Sequence, residues 1–195
     1  MCNPRFGQTS REVDCAPDER CGRGLGDRAT GSAPGDADVA QDVFEAYAQD
    51  AEVARYMIWR PHREVDETIA FLDRCERAWA GRHSLHLDAM VKEDGCLAGM
   101  IEARLRGSSA DIGYVLRRSL WRRGLMTEAV RFVVDWALSV PGVYRVWATC
   151  DVENVASARL LESVGMEREG VLRRWIVHPN ISDEPRDALC YALVR

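Results

Sequence analysis

A basic turn that contains glycine stands at residues 117–124, with the sequence RRSLWRRG. A strand pattern from Asp111 to Leu116 precedes the turn, and helical spacing follows Gly124. The first backbone N–H groups of a helix are unpaired and lie at the positive end of the helix dipole. With Arg122 and Arg123 beside them, such N–H groups suit an anionic diphosphate. A solvated, arginine-rich loop before an amphipathic helix is the alternative interpretation.

Another stretch with chemical potential is DVENVAS at residues 151–157, which leads into the helical pattern RLLESVGM at residues 159–166. Asn154 is a residue type that caps helix N-termini, and Ser157 then falls in the first turn of the helix. Taken alone, each residue is explained by that structural role.

Together the two stretches resemble the GNAT acyltransferase superfamily, and most closely its branch of ribosomal-protein N-terminal acetyltransferases (RimJ/RimL-like). The first motif of that branch has the form GYxLxxxxWGxGYATEA, and eight residues match it: Gly113, Tyr114, Leu116, Trp121, Gly124, Thr127, Glu128 and Ala129. The other motif has the form NxxSxxxLEKxGF, and five residues match it: Asn154, Ser157, Leu161, Glu162 and Gly165. The spacing between the motifs also fits, and the resemblance covers roughly residues 36–195.

The resemblance implies an acetyl-CoA-dependent N-acetyltransferase, in which a primary amine attacks the thioester directly. In such an enzyme the cofactor is held through its diphosphate and its pantetheine arm, which implies nine binding residues here: Val115, Leu116, Arg122, Arg123, Gly124, Leu125, Met126, Thr127 and Asn154. The acceptor would be a protein N-terminus or a small-molecule amine such as an amino acid, a polyamine or an aminoglycoside. An α-amine with a pKa of about 8 reaches the reactive neutral form more easily than a lysine at about 10.4.

Three side chains are candidates for proton transfer in that reaction. Many members of the superfamily protonate the leaving thiolate with a tyrosine, but Leu161 stands at its position, so the resemblance gives this role to Ser157. Asp111 is the first candidate for the base that receives the amine proton, and Glu102 is the second. The structural alternatives are a turn residue for Asp111 and an exposed carboxylate on a strand face for Glu102.

Three departures from the family pattern support a different hypothesis. Arg122 replaces the first glycine of the loop, and Met126 stands where alanine or glycine is usual, so both side chains are positioned to crowd the phosphates. The first strand of the family should precede Asp36, where no strand pattern is found. The alternative function is therefore a catalytically inactive module that binds acyl-CoA as a sensor or scaffold.

Several further residues have a functional and a structural interpretation. Cys150 ends a strand pattern near the expected thioester, but no partner histidine is readable beside it, so a buried strand cysteine is favoured over a covalent intermediate. His178 and the other histidines have no metal-ligand spacing and are expected on the surface or in loops. Acceptor specificity is expected to depend on the loops at residues 55–67 and 177–187, whose shape the sequence does not give.

The elements that must position these residues follow from hydrophobic periodicity. Helical patterns begin near residues 36, 64, 125 and 154, and alternating strand patterns cover residues 85–91, 97–105, 111–116, 143–150, 171–177 and 188–194. The expected fold is α/β (α+β), of the GNAT type, with a mixed, mostly antiparallel, twisted sheet of six to seven strands and about four helices on its faces. Residues 1–35 are rich in glycine and proline and are expected to form an irregular arm before a single domain at residues 36–195.

Composition excludes several other classes. The net charge is −5, which disfavours a nucleic-acid partner, and no apolar run is long enough for a membrane span. Seven cysteines, an odd number without CxxC pairs, predict reduced thiols in the cytoplasm, no disulfide framework and no metal site. Acetyl-CoA and an amine are the expected partners, and a homodimer is expected only because relatives often form one.

Overall fold

The computed structural model of the chain describes residues 37–80, 86–93 and 96–195, and the elements below are those of these ranges. The predicted irregular arm at residues 1–35 lies outside them, as does the segment before Asp36 in which the family's first strand was expected. The boundary between arm and domain therefore stays a prediction.

Five α-helices and two short helical turns surround the sheet. The α-helices are α1 (Ala37–Val43), α2 (Ala51–Ala54), α3 (Val65–Ala80), α4 (Leu125–Ser139) and α5 (Val155–Ser163); a π-helical turn (Phe44–Ala48) continues α1, and a 3₁₀ turn (Arg118–Leu120) precedes α4. Four of these helical segments are the predicted ones. The additional helix α2 is too short to produce a periodic pattern, and it forms because Asp50 caps it, its side chain accepting the N–H of Glu52 at 2.9 Å.

Six strands form one mixed sheet, which confirms the predicted fold class. They are β1 (His86–Glu93), β2 (Cys96–Arg106), β3 (Ser109–Leu116), β4 (Arg145–Asp151), β5 (Glu167–Ile176) and β6 (Arg186–Val194). Their order across the sheet is β1-β2-β3-β4-β6-β5. Every neighbouring pair is antiparallel except β3 and β4, which run parallel and are joined through α4.

Two hydrophobic cores cover the two faces of the sheet. The larger core lies between the sheet and helices α4 and α5, and it includes Ile112 of β3, Cys150 of β4 and Val130 of α4. The smaller core packs α1, the π-helical turn and α2 against the other face, where Val115 joins it. Strands β2 and β3 contribute to both cores, through Leu97 and Met100 of β2 and Val115 of β3 on the side of the smaller core.

The parallel strands β3 and β4 pair over only three residues each. Their register joins Ser109 with Arg145, Ala110 with Val146 and Asp111 with Trp147, and pairing stops there. β3 nevertheless continues to Leu116 and β4 to Asp151, each still paired with its other neighbour. A gap, the strand gap, therefore opens in the middle of the sheet between the carboxyl ends of these two adjacent strands.

Gly99 of β2 allows the outer part of β3 to approach closely. A Cβ atom at this position would lie 2.1 Å from the carbonyl oxygen of Val115 and 2.9 Å from the Cα of Leu116. We expect Gly99→Ala to destabilise the protein by about 2 kcal/mol, because the backbone of β3 must shift to admit the methyl group. Thermal unfolding should show a melting temperature lower by about 5 °C.

Gly170→Ala is the matched control, because no atom lies within 4 Å of a Cβ built at that strand position. Its melting temperature should equal that of the wild type or exceed it slightly. Equal melting temperatures for the two variants would show that β2 and β3 are not held at the close distance described.

Candidate functional site

The strand gap is flanked by the N-termini of two helices. Because β3 and β4 are parallel, the helices that follow them, α4 and α5, both begin at the same edge of the sheet. Open α/β sheets bind ligands at this kind of edge, where neighbouring strands separate.

The turn before α4 has the backbone form of an anion site. The φ angle is +64° at Arg122 and +82° at Gly124, whereas Arg123 between them does not have a positive φ. Alternation of this kind turns successive N–H groups toward one point. No side chain caps α4, so the N–H groups of its first turn are available to a ligand.

The two departures in this turn have different consequences. The left-handed φ of Arg122 explains why glycine is usual at this position, since a side chain there costs about 1 kcal/mol or more. Arg122 is exposed and free to carry its charge outward. Met126 is only 4% exposed because its side chain packs in the larger core, and it does not crowd the mouth of the helix as the sequence suggested.

At the end of β3, the main-chain groups of successive residues point alternately toward β2 and toward the strand gap. The carbonyl oxygen of Val115 lies against Gly99, and the N–H of Arg117 donates to Ala98 at 2.7 Å, so both residues face β2. Leu116 therefore faces the strand gap, where its carbonyl accepts the indole N–H of Trp121 at 2.8 Å. Of the two residues predicted to pair with a pantetheine arm, Leu116 is the one whose main chain lies on the open side.

Three side chains meet at the inner end of the strand gap. The hydroxyl groups of Tyr114 on β3 and Ser157 on α5 share a hydrogen bond of 2.7 Å. The thiol of Cys150, at the end of β4, lies beside Ser157. Asn154 caps α5 by accepting the N–H of Ser157 at 3.1 Å, which fixes the first turn of the helix.

All three groups of this cluster remain protonated near neutral pH. Burial raises the pKa of Tyr114 well above 10.0, although its hydrogen bond with Ser157 acts in the opposite direction. Burial also raises the pKa of Cys150 to about 11. The cluster can therefore donate a proton or a hydrogen bond, while Cys150 is a thiol rather than a nucleophilic thiolate.

The two predicted bases are both bound by one arginine. Nε of Arg104 donates to Oδ2 of Asp111 at 2.6 Å, and Nη1 of the same side chain donates to Oε2 of Glu102 at 3.1 Å. Asp111 also lies where β3 and β4 are still paired, before the strand gap opens. The positive charge of Arg104 disfavours protonation of either carboxylate, and their role as bases stays a prediction.

The two loops expected to recognise the acceptor are in contact. The side-chain amide of Asn180 donates to the carbonyl oxygens of Ala54 at 2.6 Å and Trp59 at 2.8 Å. Arg60 and Asp183 form an exposed ion pair at 3.3 Å. These contacts join residues 55–62 to residues 178–185 beside the end of β4, on the face of the sheet opposite Ser157.

A buried carboxylate that sequence reasoning missed lies under these loops. The side chain of Asp151 is fully buried, and it accepts hydrogen bonds from Nε of Arg186 at 2.6 Å and from the N–H of Glu153 at 2.9 Å. Burial alone would raise the pKa of Asp151, but these hydrogen bonds and the positive charge of Arg186 outweigh it and hold the pKa below 3.8. The residue directly follows the strand pattern that ends at Cys150, yet nothing in the sequence indicates its partner, which lies 35 residues away.

Separated parallel strands, an uncapped helix and a protonated hydroxyl cluster fit an acyltransferase that uses an acyl-coenzyme A. The family model of the acetyltransferase (GNAT) domain matches residues 33–167, so the chain belongs to the GNAT acetyltransferase family. The predicted family is thereby confirmed.

Individual relatives agree with this membership. The chain is 26% identical over 159 residues to the uncharacterized N-acetyltransferase YoaA of Bacillus subtilis, which covers 80% of this chain and 88% of YoaA. The fold resembles the microcin C7 self-immunity acetyltransferase MccE in complex with acetyl-CoA and AMP (TM-score 0.70, 18% identity, 82% and 88% of the two chains). It also resembles RimJ of Mycobacterium smegmatis in complex with CoA-disulfide (TM-score 0.69, 22% identity, 81% and 78%).

Neither a metal cluster nor a membrane-spanning helix occurs in the described ranges. No three or more His, Cys, Asp and Glu side chains there are grouped so as to hold a metal ion. No helix in the same ranges is both long enough and apolar enough to cross a membrane.

Asp151 should make the stability of the protein depend on pH. Its folded-state pKa lies below the ordinary value of 3.8, so its contribution is complete above that value and is lost as the pH falls through the folded-state pKa. We expect Asp151→Asn to cost about 3 kcal/mol at pH 7, because Arg186 loses the charge of its partner. The difference from the wild type should shrink below about pH 4.

Urea unfolding of both proteins between pH 7 and pH 3 measures this difference. A constant difference over that range would mean that the ionised carboxylate of Asp151 contributes nothing to stability.

Proposed function

We propose that this protein transfers the acetyl group of acetyl-CoA to a primary amine, as a member of the RimJ/RimL-like branch. The observation that carries the proposal is the hydrogen bond between Tyr114 and Ser157, which joins two half-buried hydroxyl groups at the inner end of the strand gap. Two structural neighbours are described in complex with acetyl-CoA or CoA-disulfide, which supports the choice of co-substrate.

The turn before α4 is the proposed site for the diphosphate. The N–H groups of Gly124, Leu125, Met126 and Thr127 supply donors there, and Arg122 and Arg123 supply positive charge. The absence of a capping side chain on α4 fits this role, because an anion would satisfy the N–H groups that a cap normally satisfies.

The strand gap is the proposed site for the pantetheine arm and the thioester. A chain of amide groups can lie beside the free main-chain edge of Leu116 in the manner of an added strand. The N–H of Leu116, on the same side of the strand, is suited to stabilise the oxyanion that develops on the thioester carbonyl. The sulfur would then lie near the cluster of Tyr114, Cys150 and Ser157.

Proton transfer at the leaving group is assigned to Ser157. The thiolate of CoA needs a proton or a hydrogen bond as the carbon–sulfur bond breaks. Ser157 can donate directly and can be resupplied by the hydroxyl of Tyr114, which its raised pKa keeps protonated. The tyrosine missing from position 161 is in this way replaced by Tyr114, which acts through Ser157.

The acceptor class stays broad in this proposal. A protein N-terminus and a small-molecule amine both fit a site at the surface end of the strand gap, between the loops at residues 55–62 and 178–185. Assembly as a homodimer and a cytoplasmic location remain predictions from the sequence.

Two measurements test the function. Isothermal titration calorimetry should show binding of acetyl-CoA, and a thiol reagent should show CoA release that depends on an added amine. The panel of amines to be tested should include peptides with N-terminal serine or alanine, free amino acids, spermidine and an aminoglycoside. Binding without release from any amine would favour the inactive module, and absence of binding would contradict both functions.

Ser157→Ala should lower kcat by about 100-fold, because an acid that protonates a leaving group contributes at least that factor. The KM for acetyl-CoA should change little, since the hydroxyl acts on the sulfur during bond breaking. Steady-state kinetics with the best acceptor of the panel measures both constants.

Ser163→Ala is the control on the same helix. The hydroxyl of Ser163 is exposed and donates only to the carbonyl of Leu160 at 2.7 Å, so its loss should leave kcat unchanged. Equal kcat values for the two variants would remove Ser157 from the mechanism.

A further inference from the structure

His178 follows β5 in the chain and is buried, with 4% of its surface exposed. The sequence suggested a histidine on the surface or in a loop; the residue does lie in a loop, but the loop covers it. Neither of its ring nitrogens has a hydrogen-bond partner. Within the described ranges, every other buried side-chain nitrogen or oxygen atom has one. Because an unpaired buried polar group costs stability, such a group is expected to have a partner that binds from outside.

The groups around His178 come from three elements. Oδ2 of Asp151, on β4, lies 3.8 Å from Nε2 of His178, but that oxygen is already bonded to Arg186 at the start of β6. The ring of Tyr56, from the loop after α2, contacts His178 edge-on at 6.3 Å between ring centroids. The hydroxyl of Tyr56 bonds the carbonyl of Glu153 at 3.3 Å and not the histidine. The imidazole ring of His178 is therefore held in place by its neighbours, without hydrogen bonds from its own two nitrogen atoms.

His178 and Ser157 lie on opposite faces of the sheet beside the same two residues. Cys150 and Asp151 are consecutive on β4, so their side chains point to opposite faces. Cys150 contacts Ser157 on the face covered by α5, and Asp151 contacts His178 on the other face. Both contacts occur at the end of β4 that borders the strand gap.

We propose that His178 is the base that receives the proton of the acceptor amine, at an acceptor site formed between Asp151 and Tyr56. This inference rests on the proposed function. The nitrogen of the amine bonds to the thioester carbon, and the carbon–sulfur bond then breaks. The proton of the new ammonium passes to His178, while the thiolate receives a proton from Ser157. Ser157 regains a proton through Tyr114, and His178 releases one to the solvent, so both return to their starting states. The products are the N-acetylated amine and CoA with a free thiol.

Imidazole fits this task better than the two carboxylates predicted from the sequence. Both ring nitrogens of His178 lack a hydrogen-bond partner, so one of them is free to accept a proton. Asp111 and Glu102 are both bound by Arg104, and Asp111 precedes the strand gap. A base and an acid on opposite faces also keep the incoming amine and the departing thiolate apart.

The acceptor must reach His178 between the two loops that cover it. Their links are the hydrogen bonds of Asn180 to Ala54 and Trp59 and the ion pair of Arg60 with Asp183. The ion pair is largely exposed and contributes little to holding the two loops together. An amine on a flexible chain, such as a peptide N-terminus, is the acceptor shape that best fits entry between two loops.

Two variants, His178→Gln and His178→Ala, test the inference. Glutamine keeps most of the volume and can hydrogen-bond, but it cannot take a proton at neutral pH. We expect both variants to lose at least 100-fold in kcat with the best amine acceptor of the wild type. The dissociation constant for acetyl-CoA should stay within about two-fold. The melting temperature of His178→Gln should stay within about 2 °C of the wild type, because His178 makes no hydrogen bond that the substitution would remove.

Three outcomes would overturn the inference while the function stands: His178→Gln within about three-fold of the wild-type kcat, a change confined to KM, or a loss of kcat that accompanies a large drop in melting temperature. A wild-type protein that releases no CoA with any amine would instead overturn the proposed function, and this inference with it.

Discussion

The early end of pairing between β3 and β4 is the constraint on which the rest of the site depends. Two parallel strands that separate after three residue pairs leave main-chain groups without a partner in the middle of a sheet. Such groups must find other partners, since unpaired buried N–H and C=O groups are costly. The indole of Trp121 satisfies one of them at Leu116, and the remaining edge is available to an extended ligand rich in amides.

The same separation gives the site two sides with different chemistry. On the side of α4 and α5, burial raises the pKa values of Tyr114 and Cys150 and keeps both groups protonated beside the hydroxyl of Ser157, so this side suits a leaving group. On the other side, Asp151 is fixed by Arg186 and lies beside His178, whose ring nitrogens make no hydrogen bond, under two surface loops. A thioester placed between them has a proton donor on one side and a proton acceptor on the other.

Much of the fold was predictable because local patterns set it. The alternation in β2, β3 and β4, the helical stripe after Gly124 and the cap at Asn154 all correspond to observed elements. The short helix α2 was missed because four residues carry no periodicity. The direction of the Met126 side chain was also missed, since it depends on how α4 packs against the sheet.

The site was predictable only where a motif is contiguous. The turn at residues 117–124 and the Asn154–Ser157 spacing are local, so the sequence alone indicates both. Partners from distant parts of the chain carry no such signal: Arg104 with Asp111, Arg186 with Asp151, and Tyr114 with Ser157, 43 residues apart. His178 gave no signal because its burial comes from a loop that follows α2, more than 100 residues earlier in the chain.

A crystal structure of the protein with bound CoA tests the central claim most directly. The diphosphate should lie against the N–H groups that begin α4, and the pantetheine arm should fill the strand gap. The sulfur atom should then be within hydrogen-bond distance of Ser157. CoA bound outside the strand gap, or a gap closed by continued pairing of β3 with β4, would contradict it.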